Sequence, residues 1–211
     1  MIWERWGECD RDNSDWMRSN CYRSCSLCEG ITVTQAVWFE VAIDDEVIGR
    51  FTIGLFGDIL PITTFNVMHL ANFTYGFGYT GTIFHRIIDG FVVQGGDITK
   101  NNGYGGRSIY GGEFDDESFL IRHYGKGWVN LANKGEDTNE SQFAVLTTAA
   151  DWLDERHIVI GKILNGYNVI RRLETTETQD ETPVKECKIV NAGITPITGR
   201  KEVEKKDVIG N

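Results

Sequence analysis

Hydrophobic and polar residues alternate through two neighbouring stretches near the start of the main part of the chain. Residues 37–43 and 47–56 are rich in β-branched and aromatic side chains, and the polar segment 44–46 separates them. Alternation with a period of two places successive side chains on opposite faces of a strand. This pattern predicts a β-hairpin.

Two further segments have a helical pattern. Pro61 precedes an apolar-rich stretch at 62–73, and proline is tolerated in the first turn of a helix. Residues 166–174 predict a second, shorter helix. Residues 128–148 predict two short strands around a polar loop, and 158–164 and 185–194 predict one strand each. Many strands with two helices and no regular strand–helix alternation predict a mainly β fold, a closed antiparallel barrel with helices over its ends.

The segment 81–97, GTIFHRIIDGFVVQGGD, contains two apolar runs separated by an Asp-Gly pair, which favours a tight turn. Alternation places Arg86 on the same face as Phe84 and Ile88. A charge among large apolar groups costs several kcal/mol unless it finds partners. Two interpretations stay open: a snorkelling arginine with a solvated head, or a fixed guanidinium donor beside an apolar pocket.

Composition and charge narrow the functional classes. A chain of 211 residues with 41% hydrophobic residues can form one mid-sized domain, with or without a small appendage. A formal net charge of −10 disfavours general nucleic-acid binding, which needs a basic face. No apolar run is long enough to span a bilayer, and residues 1–6 lack the hydrophobic core of a signal peptide.

Four of the five cysteines lie in the first 29 residues, which contain almost no aliphatic side chains: Cys9, Cys21, Cys25 and Cys28. So short a segment needs disulfides or a metal to hold a structure. The last three have the spacing of an iron–sulfur motif of radical enzymes, but the large barrel of those enzymes does not follow. A zinc site would need a second C-x2-C pair. Disulfides are the remaining interpretation.

The sequence GEC at 7–9 with WMRSNCYRSCSLC at 16–28 resembles the C-terminal half of a ShK toxin-type domain. The resemblance implies a partial ShK-like segment at 1–29, with a linker at 30–36. The family's pairing of six cysteines implies a bond between Cys9 and Cys25. Cys21 and Cys28 then pair with each other, or their partners precede Met1. The family's channel-blocking lysine–aromatic pair is not recognisable, so channel binding is not expected.

Four motifs stand in the order and spacing of one family: FHRIIDGFVVQGGD, GYGGRSIYGGEF, LANKGEDTNESQF and WLDERHIVIGKI. On these motifs the segment 37–197 resembles the cyclophilins, the cyclosporin-binding peptidyl-prolyl isomerases. The resemblance implies an eight-stranded antiparallel barrel capped by two helices. It implies rotation about X–Pro bonds without a cofactor or metal, and proline-containing polypeptides as partners, with cyclosporin as a candidate ligand. Residues 198–211 are expected to form a loose polar tail.

The resemblance also maps a site, with Arg86 as the catalytic arginine. The walls of the proline pocket are matched by Phe91 and Leu153, and His157 closes it. The groups along the substrate groove are matched by Gln94, Gly103, Ala132, Asn133 and Gln142. Trp152 matches a tryptophan associated with cyclosporin. Three positions depart from the family: Val92 replaces the usual methionine, Lys134 a small residue, and Ala144 the phenylalanine of the pocket floor. The last departure predicts weakened catalysis.

Three hypotheses therefore stay open. The chain is an isomerase that assists protein folding, with reduced activity, or a module that binds proline segments with little or no catalysis. In the third, the N-terminal cysteine segment carries the activity and the barrel is its carrier. Bridged cysteines need an oxidising compartment, which predicts a secreted protein or one of the endoplasmic reticulum lumen. The missing signal sequence favours the cytoplasmic alternative.

Overall fold

A computed structural model describes residues 30–199 and 201–205 of the chain. The disulfides predicted for Cys9, Cys21, Cys25 and Cys28 lie outside these residues, as does the ShK-like segment. The helices are α1 (Pro61–Ala71) and α2 (Tyr167–Glu174). The strands are β1 (Ile31–Val33), β2 (Gln35–Ile43), β3 (Glu46–Leu55), β4 (Arg86–Ile88), β5 (Val92–Gly95), β6 (Trp128–Leu131), β7 (Phe143–Leu146), β8 (Val159–Asn165), β9 (Thr178–Gln179), β10 (Thr182–Pro183), β11 (Cys187–Thr195) and β12 (Lys201–Val203).

Eight strands form one antiparallel sheet in the order β11-β2-β3-β8-β6-β7-β5-β4. Its concave face carries an aromatic core in which Phe39 lies 5.2 Å from Phe51 and 5.3 Å from Phe143, measured between ring centroids. Both predicted helices are present, and α1 packs against β2 while α2 packs against β3. The prediction of a mainly β fold with two helices is confirmed.

The sheet is a half-barrel, and the prediction of a closed barrel is wrong. Its two edge strands are β4 and β11. Strand β4 has only three residues, and the chain before it reaches β11 through an isolated bridge between Ile83 and Lys188. The contact with β11 is confined to residues 81–84, where the amides of Gly81 and Phe84 donate to the carbonyls of Ile189 and Cys187.

The strand that contains Arg86 begins later in the structure than the sequence predicted, and this changes the direction of the side chains before it. Strand β4 begins at Arg86, so alternation does not extend back to Phe84. Phe84 is 1% exposed and packs in the aromatic core, with its ring 6.2 Å from that of Phe143. Arg86 is partly exposed on the other face of the sheet. The expectation that Arg86 and Phe84 share a face is therefore wrong.

The two ends of the described chain meet. Strand β1 pairs with β12, so segments expected to be a linker and a loose tail each contribute a strand. Val203 is buried with Ile31 and Val33 in a second apolar cluster, which also contains Trp128. The Lys162 ammonium donates to the Glu204 carbonyl at 2.5 Å. Within residues 30–199 and 201–205, we find no helix with the length and apolarity needed to cross a membrane.

Candidate active site

The register of three neighbouring strands sets a row of side chains on the face opposite the aromatic core. Arg86 of β4 pairs with Gln94 of β5, and Gln94 pairs with Ala144 of β7. Their chain neighbours Val93 and Phe143 point the other way, into the core. The Asp-Gly turn fixes the register of β4 against β5, and the row follows from it.

The Arg86 guanidinium is held by two acceptors. Its Nε donates to Glu181 Oε2 at 2.7 Å, and its Nη1 donates to Gln94 Oε1 at 3.4 Å. The side chain is 39% exposed, so one part of the group is open to solvent. A guanidinium is a planar cation with several N–H donors in a fixed geometry. Arg86 is therefore a cationic donor whose position is restrained.

An amide relay continues from the arginine into the loop after β5. Gln94 Nε2 donates to Gln142 Oε1 at 3.1 Å. Gln142 Nε2 donates to the carbonyl of Gly103 at 2.9 Å and to that of Gly105 at 2.6 Å. Both glutamine side chains have fixed orientations, because each amide accepts a hydrogen bond through Oε1 and donates through Nε2.

The carboxylate of Asp97 organises this glycine-rich loop. It accepts hydrogen bonds from five backbone amides, those of Thr99, Lys100, Asn102, Gly103 and Gly105. Burial alone raises the pKa of Asp97, but these backbone donors outweigh it and lower the pKa to about 2. Gly103 has φ +85°, and a Cβ there would lie 2.7 Å from the His85 ring, so only glycine fits.

A surface pocket of about 70 Å³ lies beside the relay. It is lined by Gln94, Gly103, Ala132, Asn133, Lys134, Thr138, Glu140 and Gln142. Five of these residues are the groove positions expected from the sequence. The Lys134 ammonium crosses the pocket wall to Glu140 Oε2 at 3.0 Å, with Glu113 Oε1 at 4.0 Å. The hydrogen bond that Lys134 donates to the Glu140 carboxylate raises the pKa of Lys134.

The expected proline pocket residues lie together in the second apolar cluster. Val92 and Ala144 are buried in it, and Phe91 and Leu153 pack against it while partly exposed. The Phe91 ring is 5.6 Å from that of Trp152, which is 56% exposed. Ala144 provides only a methyl group in the row with Arg86 and Gln94, so no ring fills that position.

A histidine borders this apolar surface. His157 contacts the Leu131 carbonyl through Nδ1 at 3.2 Å, and its amide donates to the Leu153 carbonyl at 3.1 Å. Burial lowers the pKa of His157, against the opposing effect of the Leu131 carbonyl. Burial therefore favours the neutral form of this imidazole. Asn133 Nδ2 donates to the Arg156 carbonyl at 2.7 Å, which connects the groove to the same loop.

A family model described as cyclophilin type peptidyl-prolyl cis-trans isomerase/CLD matches residues 38–194. The chain belongs to this family. The match covers most of the chain, from within β2 to within β11, and includes every element that carries the site. The cyclophilin domain is a peptidyl-prolyl cis–trans isomerase, and its substrates are proline-containing polypeptides. Among the described residues, no group of three or more His, Cys, Asp or Glu is placed to hold a metal ion.

Two acidic residues of this cyclophilin site escaped the sequence analysis. Asp97 stands at the end of a quoted motif and directly before a glycine-rich loop, and that position was a usable signal for a carboxylate that binds loop amides. Glu181 is 95 residues from Arg86 in the chain. No local pattern indicates this contact, because it depends on how the hairpin β9–β10 packs against β4.

Proposed function

We propose that this cyclophilin domain rotates X–Pro bonds with Arg86 as the catalytic residue, and that Ala144 makes it slower than a site with an aromatic floor. The substrate proline enters the apolar surface bordered by Phe91, Leu153 and His157. The flanking backbone lies along the groove lined by Asn133 and Gln142. What carries the proposal is the row Arg86–Gln94–Ala144, in which a restrained cationic donor stands in register with a residue of the second apolar cluster.

Rotation about the X–Pro bond is opposed by amide resonance. The barrier is about 18–20 kcal/mol because the nitrogen shares its lone pair with the carbonyl. A donor that engages the nitrogen lone pair in the twisted state weakens this sharing, and no bond needs to be cleaved. Arg86 suits the role because its charge is permanent and its donors form a rigid plane. A rate gain of about 10⁵ requires roughly 7 kcal/mol of selective stabilisation.

Ala144 reduces the apolar contact available to the proline ring. Removing a large ring from a buried site costs about 3–5 kcal/mol in truncation series. Part of this lost contact energy is lost from the twisted state, because the substrate's proline ring must be held in the pocket while the X–Pro bond rotates. Val92 and Leu153 supply the remaining apolar surface from the same cluster. A slower but measurable isomerase is the expected result.

A binding module is the second candidate, and two observations favour it. The first is the missing ring at Ala144. The second is the Lys134–Glu140 ion pair at 3.0 Å across the groove wall, which narrows the route along the substrate backbone. Such a site would hold a proline segment and turn it slowly. Binding without catalysis separates this function from the first.

A protease-coupled proline-peptide assay tests the proposal. The wild-type rate should exceed the uncatalysed rate, and Arg86→Ala should lower it by at least about tenfold. Arg50→Ala is the matched control, because Arg50 is also partly exposed and donates through Nε to a glutamate, Glu40, at 2.8 Å. The control should keep the wild-type rate. A wild-type rate at background, with proline-peptide binding in calorimetry, would establish the binding module instead.

Restoring the aromatic floor tests the role of Ala144. Ala144→Phe should raise kcat/KM by at least about fivefold, equivalent to roughly 1 kcal/mol of the expected contact. Thermal unfolding of the same variant checks that the ring is accommodated. An unchanged rate in a variant with wild-type stability would mean that the floor of this site serves another contact. Adding cyclosporin to the same assay tests whether the surface at Trp152 binds that ligand.

The N-terminal segment enters the proposal only through its cysteines. We propose that Cys9, Cys21, Cys25 and Cys28 are disulfide-bonded and that the protein works in an oxidising compartment, secreted or in the endoplasmic reticulum lumen. Support comes from the clustering of four cysteines in 29 residues and the resemblance to a ShK-type segment. Mass spectrometry of the intact chain, with and without reductant, should show the loss of four hydrogens on oxidation. Four free thiols in protein purified without reductant would contradict it.

A further inference from the structure

The hairpin formed by β9 and β10 has an unusual turn. Its two central residues, Asp180 and Glu181, have φ values of +49° and +65°. Two-residue hairpin turns of this kind favour Asn-Gly, because a left-handed backbone is unfavourable for residues with a long side chain. A glutamate in this conformation is a strained residue where glycine would be less so. Such strain is often kept where the side chain has a function.

The turn is anchored directly beside the catalytic arginine. The amide of Ile87 donates to the Glu181 carbonyl at 2.8 Å, so the strained residue is attached to the neighbour of Arg86. Below the turn, Thr182 pairs with Gln179, and the Val184 amide donates to the Glu177 carbonyl at 2.9 Å. The backbone of Glu181 is therefore fixed relative to β4 before its side chain is considered.

The carboxylate of Glu181 then makes the shorter of the two bonds to the guanidinium. Its Oε2 lies 2.7 Å from Arg86 Nε, against 3.4 Å between Arg86 Nη1 and Gln94 Oε1. A single acceptor leaves a guanidinium free to swing, whereas acceptors on two different nitrogens define its plane. Because Glu181 binds Nε, it leaves the Nη2 donors and one Nη1 donor for a substrate.

We infer that Glu181 is a positioning residue of this isomerase, which orients the Arg86 guanidinium from a strained turn without itself contacting the substrate. The inference rests on the proposed function of Arg86. Both side chains are partly exposed, at 39% for Arg86 and 52% for Glu181. Exposed ion pairs contribute little, so the expected change in rate is about three- to tenfold rather than complete loss.

Three substitutions at one position separate orientation from folding. Glu181→Ala and Glu181→Gly should lower kcat about three- to tenfold and change KM by less than about twofold. Glu181→Gln keeps an oxygen acceptor and should retain at least half of the wild-type kcat. Glu181→Gly should also melt at a higher temperature than Glu181→Ala, because glycine relieves the turn. A purely structural role would make the more stable glycine variant the faster one.

The matched control is Glu40→Ala, which removes a glutamate from the Nε of a different arginine, Arg50. It should leave kcat unchanged. The inference is overturned if Glu181→Ala is as fast as the wild type or faster, since the glutamate would then be inert or restraining. It is also overturned if Glu181→Gln is as slow as Glu181→Ala, or if the control slows equally.

A readout that does not depend on activity keeps this inference apart from the proposed function. The ¹⁵Nε–H signal of Arg86, assigned by its loss in Arg86→Lys, should shift upfield and exchange faster with water in Glu181→Ala. In Glu181→Gln it should stay protected. An unchanged signal in Glu181→Ala overturns the inference even if the protein is an active isomerase. A wild-type rate at background with the expected signals refutes only the proposed function.

Discussion

At the scale of single residues, the best-held charge in the site is the carboxylate of Asp97. It is fully buried and accepts five backbone hydrogen bonds from the loop that carries Gly103. A negative charge is the form these donors stabilise, so folding lowers its pKa to about 2 from an ordinary value of 3.8. Stability from this group is present above pH 3.8 and is lost as the pH falls through 2.

Asp97→Asn should therefore destabilise the fold at neutral pH. The amide of asparagine cannot accept from all five backbone donors. The expected loss is about 2 kcal/mol of unfolding free energy, the amount that corresponds to the pKa difference. Urea unfolding at pH 7 and pH 3 measures the effect, and the gap between wild type and variant should narrow at the lower pH. Asp115→Asn, on an exposed residue, is the control. A gap of equal size at both pH values would contradict the assigned cause.

The sequence predicted the contact of Arg86 with the adjacent strand, but it did not predict the contact with Glu181. The Asp-Gly turn fixes which residue of β5 stands opposite Arg86, so the closeness of Gln94 follows from local chemistry. The contact with Glu181 joins residues 95 positions apart, and it depends on the packing of a hairpin whose strands have two residues each. Period and propensity carry no information about such a contact.

At the scale of elements, the long strands and the two helices were predictable from the sequence, and the short strand pairings were not. Residues 37–43 and 47–56 correspond to β2 and β3, whose alternation is carried by many residues. Strands β1 and β12 have three residues each and pair across most of the chain. A three-residue strand shows too little alternation to be distinguished from a loop in the sequence. Strands β1 and β12 pack on the second apolar cluster, which lies far from them in the chain.

Val203→Ala tests whether that cluster makes β1 and β12 part of the folded unit. Val203 is 9% exposed, and removing two methyl groups should lower the free energy of unfolding by about 1–2 kcal/mol. Lys201→Ala on the same strand is the control, since Lys201 is exposed and its loss should change little. Urea unfolding followed by Trp fluorescence measures both. Equal stability of the two variants would mean that β12 contributes no burial.

At the scale of the whole molecule, the site is built within one continuous part of the chain. The groups that hold the guanidinium, the loop and the pocket run from Arg86 to Glu181, and the family match ends at residue 194. Strand β1, which begins at Ile31, adds burial on the side of the second apolar cluster. The residues named in this site all follow β1 in the chain.

Removing residues 1–29 should therefore leave kcat/KM within about twofold of the full chain, because the contacts described for Arg86 and its relay lie within residues 86–181. Removing residues 1–34 also deletes β1, and with it the buried Ile31 and Val33, so that variant should unfold at a lower urea concentration. The protease-coupled assay and urea unfolding compare the three chains. A drop of more than about fivefold in kcat/KM on removing only residues 1–29 would mean that the cysteine segment contributes to catalysis.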